Sequence, residues 1–551
     1  MPNPATQSSA RTFARRPATF TGFVRREGTE LVDGDGRPLL LRGVGLGNWL
    51  LPEGYMWRFG PGAESPREIE ALVERLVGAS DAEAFWRGFR DRYVTEHDIA
   101  AIADLGFDHV RLPINARVVQ DAAGRPIEGG YALIDRLIDW CRDHRLWVLL
   151  DLHGAPGGQT GTNIDDSPNN LPELFMEERY RRQTIELWRE LARRYRDEPV
   201  VLGYDLLNEP LPNEWQHRYA DELAELYRDL TAAIREIDQR HLVMYEGSHW
   251  ATNWSIFTDV WDENSALQFH KYWSPADVAS IAPFLEARER LGLPIYMGEG
   301  GEHNLEWLYA AFRLYEAHGI GWNLWPWKKL DTLTSPASVV APERWDDVIA
   351  SIGGESRLTR DEARAVFDEL LDAIAIDRCI LRPEVVAAVT GDRPVVIPAW
   401  AYGFDGAGES FGGAAEPTGD PAVDRALDSA LDPAVANLRA GDRVALRFAT
   451  HGPHPDNPFE HRAGGPFRAD ERIVVDLAPG EWLVFDLGGE TDAAEYTPLG
   501  PDREPVPATI ERVARGIRVT ADAAMTLAWI VADGAEYPLV ALDDHEHAHS
   551  A

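Results

Sequence analysis

The sequence predicts an α/β fold, a (β/α)8 TIM barrel, followed by a C-terminal all-β sandwich domain. Three observations predict it. Strand and helix signals alternate through eight β-then-α units over roughly 340 residues, the pattern of a parallel sheet wrapped by helices. Two of the apolar runs end in a glutamate, at Glu209 in VVLGYDLLNEPLP and at Glu299 in LPIYMGEGGE. From Arg393 onward the texture changes to short β-like runs separated by Gly, Pro and Asp clusters, which is the pattern of a sandwich. An open doubly wound sheet is the other fold with this alternation, but it would leave the polar strand ends spread along an edge.

Residues 1–22 read as a disordered leader: MPNPATQSSARTFARRPATF is polar and Arg-bearing, with no apolar core of signal-peptide length. The barrel domain is expected over residues 23–385. A small hairpin turning at Asp33-Gly34-Asp35-Gly36 precedes the first core strand, Leu39 to Leu46. An insertion from Pro52 to about Val94 follows, partly helical from Pro66. Helix Glu96 to Leu105 then leads to strand Asp108 to Ile114, and helix Ala132 to His144 to strand Leu146 to Leu152. Helix Glu178 to Tyr195 leads to the strand that ends in Asn208 and Glu209. Helix Trp215 to Ile237 precedes strand Leu242 to Tyr245, and Ala266 to Lys271 is the sixth strand. Helix Pro275 to Leu291 precedes the Glu299 strand, helix Leu305 to His318 precedes Ile320 to Trp325, and a last helix spans about Asp361 to Ile376. The sandwich is expected over 393–541, with VVIPAWAY, RVALRFAT, RIVVDLA, EWLVFDL and IRVTADAAMTLAWIVA as strands. Gly403 to Gly419 reads as a surface loop, and 542–551 as a tail.

Composition narrows the function classes. Ninety-one acidic against 54 basic residues give a net charge of −37, which disfavours nucleic acid and anionic membrane as partners. The longest apolar runs fall short of the roughly 20 residues that span a bilayer, so a cytoplasmic protein is expected. Two cysteines, Cys141 and Cys379, are too few for a disulfide framework, and no Cys/His metal spacing appears. No metal or cofactor is expected, and the oligomeric state is left open. Nineteen tryptophans supply flat faces of the kind that suit sugar rings.

Further polar residues sit at strand ends. Arg111 lies two residues after His109 in the second strand, and His153 ends the third inside DLHGAPGGQ. His270 and Tyr272 end the sixth; spaced i and i+2, they point to one side. Trp322, Trp325 and Trp327 lie on or beside the eighth. Each alone has a structural alternative, such as an ion pair for Arg111. Together they converge on one end of one barrel, where such folds keep their chemistry.

HVRLPI, DLHGAPG, LLNEP, the His-x-Tyr pair, the glutamate of GEGGE and the Trp-rich eighth strand together resemble glycoside hydrolase family 5, over roughly Phe23 to Ile376. Within it, GVGLGNWLLPE and DLHGAPGGQTG are similar to the exo-β-1,3-glucanase branch of fungi and its bacterial relatives. The resemblance implies an O-glycosyl hydrolase acting on a carbohydrate substrate with retention, Glu209 as acid/base and Glu299 as nucleophile. It implies substrate contacts from Glu53, Arg111, His153, Asn208, His270, Tyr272 and Trp325, with Trp327 as a second stacking ring. The chemistry agrees. One carboxyl must be protonated to assist the leaving oxygen and the other ionised to attack. Asn208 beside Glu209 would hold the 2-hydroxyl, Arg111 and Tyr272 would keep Glu299 ionised, and the two histidines would orient hydroxyls or tune Glu209. Glu302 and Glu306 are expected to support the site from behind.

The loop Thr160 to Leu174, the Pro52 to Val94 insertion and the stretch after Trp327 depart from that branch, so sugar and linkage stay open. Short β-glucans or β-glucosides lead; mannosides, galactosides, aryl glycosides, endo action and a non-catalytic sugar-binding barrel are the alternatives. Glu53, with Asn163, Asp165 and Asp166 on the long loop, is expected to close the pocket beyond one sugar. The sandwich either binds sugar or packs.

Overall fold

The computed structural model describes residues 13–14, 16, 19–354, 356–391, 396–413, 438–450, 472–487, 493–514 and 516–535. Most of the expected leader and the whole of the tail lie outside these residues, as does the side chain of Asn163. The chain forms two compact units. One comprises residues 1–271, 284–300 and 319–381; the other comprises 272–283, 301–318 and 382–551.

The first unit holds a closed barrel of eight parallel strands: β1 (Arg42–Gly45), β2 (His109–Asn115), β3 (Trp147–Gly154), β4 (Val201–Asp205), β5 (Leu242–Glu246), β6 (Ser265–His270), β7 (Ile295–Gly301) and β8 (Gly321–Trp325). Each pairs with its sequence neighbour, and β8 closes on β1 through Asn323 opposite Gly43. Along a strand every second side chain points inward, and the inward positions change character from one end of the barrel to the other. Trp147 and Leu149 on β3 are followed by Asp151 and His153, Leu242 and Met244 on β5 by Glu246, and Ala266 on β6 by Gln268 and His270. The apolar ends form one core with Leu202 and Tyr296. Val24, Leu31 and Leu39 of the amino-terminal hairpin plug it from below. The charged ends line the opposite face, so the sequence alternation itself separates a packed bottom from a polar top.

The insertion after β1 is built around helices Pro66–Val77 and Ala79–Arg92. Ser65 and Glu68 form a reciprocal capping box ahead of the first, with Pro66 in its first turn. Trp57, Phe85 and Phe89 pack together with Trp345 beneath them. The expected helix 215–237 is two pieces, Trp215–Arg218 and Ala220–Arg235, interrupted at Tyr219.

In the second unit the described strands lie in three sheets, 396–398/529–532/496–499, 411–412/482–486/516–521/508–513 and 445–448/473–477/525–527, every pairing antiparallel. Val396, Val474, Ala528 and Trp529 make a core between two of them. All five expected runs contain strands; 411–412, 496–499 and 508–513 had no strand expectation. Helix Pro383–Thr390, closed by Gly391 in the left-handed region at φ 66°, occupies the expected boundary. Helix Leu305–Ala317 belongs to this unit as well. Its Glu306 accepts a 2.9 Å hydrogen bond from the Trp529 indole, and the Tyr309 hydroxyl donates to the Asp486 carbonyl.

Candidate active site

Arg111 is the hub. Fully buried on β2, it donates to Asp205 at 2.9 Å, Asn208 at 2.8 Å and Glu246 at 3.1 Å, and contacts Asp151 at 3.2 Å. Its Nη1 donates to Glu299. A planar guanidinium with five N–H donors can satisfy such a ring of acceptors, which a lysine could not. Gln268 adds a second bridge, donating to Asp205 at 2.8 Å and Glu246 at 2.6 Å. Gly298 makes room for it, since a Cβ there would lie 2.1 Å from the Gln268 amide carbon. A register shift between Met297 and Glu299 then sets Glu299 opposite His270.

Glu209 sits just beyond β4 with its backbone in the left-handed region at φ 45°, a conformation unusual for a residue with a Cβ. Its N–H donates to Glu246 Oε2 at 2.7 Å. Its carboxylate shares a 2.8 Å hydrogen bond with His270 Nδ1. His270 Nδ1 also lies 3.6 Å from Glu299, and its Nε2 lies 3.2 Å from Glu246. One oxygen of Glu209, one oxygen of Glu299 and a ring nitrogen of His270 fall within 4.8 Å of one another. This trio is the one group among the described residues whose spacing would also suit a metal ion. Arg111 and His270, however, already serve its carboxylates as cationic partners.

Burial alone would lower the His270 imidazole, but the Glu246 and Glu299 carboxylates hold it well above its ordinary value, which favours its cationic form. Burial pushes the Glu299 carboxyl up; His270 and Arg111 oppose that, and Glu209 reinforces it. Glu246 moves the other way, held below its usual range against burial by His270 and Arg111. Burial raises Asp151 to about 8 and Asp205 well above its usual range, in each case against Arg111.

His153 is tied to Asp151 at 2.7 Å and lies 3.9 Å from Glu299, so of the two glutamates it is Glu299 that it adjoins. Burial lowers its imidazole to about 4. Asn208 is fixed by Arg111 at its Oδ1 and faces His153 Nε2 with its Nδ2 at 3.3 Å. Gln159 clamps the β3 and β4 ends together, donating to the His153 and Asn208 carbonyls at 2.7 and 2.9 Å. Trp325 lies parallel to His153, is 2% exposed, and donates its indole N–H to the Tyr55 hydroxyl at 2.8 Å. Gly45 and Gly47 leave space for it, because a Cβ at either would lie within 2.8 Å of its ring. Glu53 is buried where the insertion leaves β1. Tyr272 belongs to the other compact unit, where its ring packs against Trp273.

Several expectations need correction. Trp327 does not offer a stacking face: it is buried and its indole donates to Asp98 at 2.9 Å. Trp322 is likewise in the barrel core, edge-on to Phe107. Glu306 belongs to the other compact unit, where it accepts from the Trp529 indole. Asp165 and Asp166 are not free to meet a sugar. Asp165 accepts from the Gly161 and Ser167 N–H groups and from the Ser167 hydroxyl, folding its own loop. Asp166 accepts from the Arg67 N–H at 3.0 Å, from Asn115 at 3.1 Å and from Arg117 at 2.5 Å.

Sequence reasoning missed Asp151, Asp205, Glu246 and Gln268. The signal was present, since Asp151 precedes His153 and Gln268 precedes His270 by two, on the same inward face.

A closed parallel barrel with an oxygen from each of two carboxyls, beyond β4 and on β7, within 4.8 Å of the other, beside an arginine, an asparagine and two histidines, is the frame of a glycoside hydrolase. The comparisons with known proteins agree. The family profile described as Cellulase (glycosyl hydrolase family 5) matches residues 76–331. A "Beta-xylosidase" of Phanerodontia chrysosporium is 30% identical over 347 residues, 56% of this chain and 71% of the relative. An "Endoglucanase C" of Acetivibrio thermocellus is 26% identical over 319 residues, 46% of this chain and 89% of the relative. A "Probable glucan 1,3-beta-glucosidase A" of Emericella nidulans is 31% identical over 238 residues, 42% and 57% respectively. The chain belongs to glycosyl hydrolase family 5. Among the described residues no helix is long and apolar enough to cross a membrane.

Proposed function

We propose that this glycoside hydrolase is a retaining exo-β-glycosidase acting on short β-glucans or β-glucosides, with Glu209 as acid/base and Glu299 as nucleophile. The carrying observation is that one oxygen of Glu209 and one of Glu299 lie within 4.8 Å of each other. Retention needs roughly 5 Å between carboxyls, whereas inversion needs room for a water and roughly 6.5–9.5 Å. In the first step a Glu299 oxygen bonds to the anomeric carbon while the Glu209 proton passes to the leaving oxygen as its bond breaks. In the second, Glu209 takes a proton from water, the water oxygen bonds to the same carbon, and Glu299 departs as carboxylate.

Arg111 on Glu299 and the cationic His270 beside both carboxyls favour the ionised nucleophile against its burial. Asn208, fixed through Arg111, would meet the 2-hydroxyl. Glucosides lead because GVGLGNWLLPE and DLHGAPGGQTG resemble the exo-glucanase branch, and the three relatives' names bring β-xylosides and longer β-glucans into the same test. A screen of aryl β-glycosides and oligosaccharides of defined linkage, with the first product's anomeric configuration read by NMR, decides it. Product of inverted configuration, or equal activity of Glu299→Ala, would overturn this reading.

A further inference from the structure

We propose that Glu246 is a positioning residue for the acid/base glutamate, holding Glu209 by its backbone with one carboxylate oxygen and by its histidine partner with the other. The inference rests on the reading of Glu209 as acid/base. Glu246 ends β5 fully buried, and its two oxygens are divided between two tasks. Oε2 accepts the Glu209 N–H at 2.7 Å. This fixes the peptide at which the chain leaves β4 for the left-handed region, where Glu209 and, two residues on, Leu211 both sit. Oε1 lies 3.2 Å from His270 Nε2, whose Nδ1 is on the Glu209 carboxylate at 2.8 Å. Glu246 thus reaches both ends of the same residue: the main chain directly, the side chain through one imidazole.

Charge gives this geometry a consequence. The groups facing His270 are Glu209, Glu246 and Glu299, with Gln268 at 3.2 Å from Nε2 and Arg111 and Asp151 behind. Glu246 is the anion at its outer nitrogen, so it favours a ring that donates from both nitrogens. Glu246 is itself held ionised by Arg111 at 3.1 Å and Gln268 at 2.6 Å, with Asp205 across the same two partners. A cation at Glu209 eases release of its proton to the leaving oxygen. Neutralising Glu246 removes the anion at its outer nitrogen that supports that charge.

The test is Glu246→Gln in the full chain, assayed on aryl β-glycosides over a range of leaving groups, beside Glu209→Ala. General acid assistance is worth about 10²–10⁴-fold and matters most for poor leaving groups. We expect Glu246→Gln to lose about 10²-fold in kcat/KM on a poor leaving group, under about fivefold on dinitrophenolate, with KM little changed. We also expect the alkaline limb of its pH profile to move to higher pH. Equal losses on all leaving groups with an unmoved profile would make Glu246 merely structural and overturn the inference. If Glu209→Ala itself showed no leaving-group dependence, the acid/base reading would fail instead. Should Glu246→Gln not fold, ¹⁵N-histidine NMR of the wild-type protein at pH 7, assigned with His270→Gln, still decides. A doubly protonated His270 is expected, and a neutral ring would overturn the proposal.

Discussion

His153 and Trp325, at the ends of β3 and β8, lie face to face, with ring centroids 5.4 Å apart and planes within 6° of parallel. The expected sugar floor is therefore also the wall that orients His153, which Asp151 holds from its other side at 2.7 Å.

Trp325→Ala should cost both packing and chemistry. Truncating a buried tryptophan costs about 3–5 kcal/mol of stability, and freeing His153 disturbs a group 3.9 Å from Glu299. Trp325→Phe keeps a face but loses the hydrogen bond to Tyr55, and should lose only about 1 kcal/mol, or roughly fivefold in kcat/KM. Melting curves and kinetics on an aryl glycoside check both; equal losses in the two variants would deny His153 its dependence on the ring.

Arg111→Met should be among the most damaging single changes. It leaves Asp151, Asp205, Glu246 and Glu299 buried without their shared cation, and stranding buried charge costs about 3–5 kcal/mol. Arg111→Lys restores one charge but not the five-donor fork, so denaturant unfolding should place it between wild type and Arg111→Met, still with severely reduced activity. A wild-type unfolding midpoint for Arg111→Met would show that the carboxyls are held by other means.

His109 gives a pH prediction. It is fully buried beneath the site, bonded to the Tyr296 hydroxyl at 2.6 Å, and burial lowers its imidazole from 6.5 to about 3. Between those values the unfolded chain binds a proton that the folded chain refuses. His109 therefore makes stability fall as pH drops from about 6.5 toward 3. In wild type Asp151, raised to about 8, works the other way, so the clean measurement is a difference. His109→Gln should be less acid-labile than wild type by about 1.4 kcal/mol per pH unit inside that window. Parallel stability–pH curves would mean that the ring charges in place.

Much of this was legible in the sequence, for an identifiable reason. All eight barrel strands announce themselves by apolar runs, and helix Glu178–Tyr195 falls where its periodicity put it. Arg111, His153, Asn208, Glu209, His270 and Glu299 converge as motif and strand-end position imply. What stayed hidden was charge inside apolar strands. Asp151, Asp205 and Glu246 sit among Leu, Val and Tyr, and only the partner across the barrel, Arg111, explains them. Trp327 misled because three tryptophans in six residues read as one surface, yet the chain has left the barrel by Pro326 and turns that indole to Asp98. Asp165 and Asp166 misled because loop polarity looks alike whether it serves a ligand or the loop's own N–H groups.

Removing residues beyond 391 should destabilise what remains. Helix Leu305–Ala317 would lose the Trp529 donor to Glu306, whose carboxyl burial already pushes up, and the Asp486 acceptor of Tyr309. A buried group left unsatisfied costs about 1–3 kcal/mol. We expect a lower melting temperature and reduced solubility; unchanged melting with lost polysaccharide binding would instead assign the carboxy-terminal unit to sugar recognition.

The proposed exo action would turn on Asp166. It joins three connections of the barrel: its carboxylate accepts from the Arg67 N–H in the insertion after β1, and from Asn115 at the end of β2 and Arg117 just beyond it, while its own chain lies in the loop after β3. Arg117 also reaches Glu70 at 3.0 Å, so helix Pro66–Val77 is held at two points. The insertion carries Glu53 out of β1, buried to 3% exposure. A wall that admits one sugar needs this insertion pinned down, and Asp166 is the pin rather than a sugar ligand. Asp166→Ala removes three hydrogen bonds, two of them to arginines, each worth about 0.5–3 kcal/mol. The wild-type enzyme should release monosaccharide first from a tetrasaccharide. Asp166→Ala should release a measurable share of disaccharide as first product while keeping most of its rate on an aryl monoglycoside. Glu53→Ala should lose about 2–3 kcal/mol of transition-state binding on both substrates, the value of a hydrogen bond to a charged group. Time-resolved product analysis separates them. Disaccharide as the first wild-type product would mean an open cleft, with the Asp166 link closing nothing that a sugar meets.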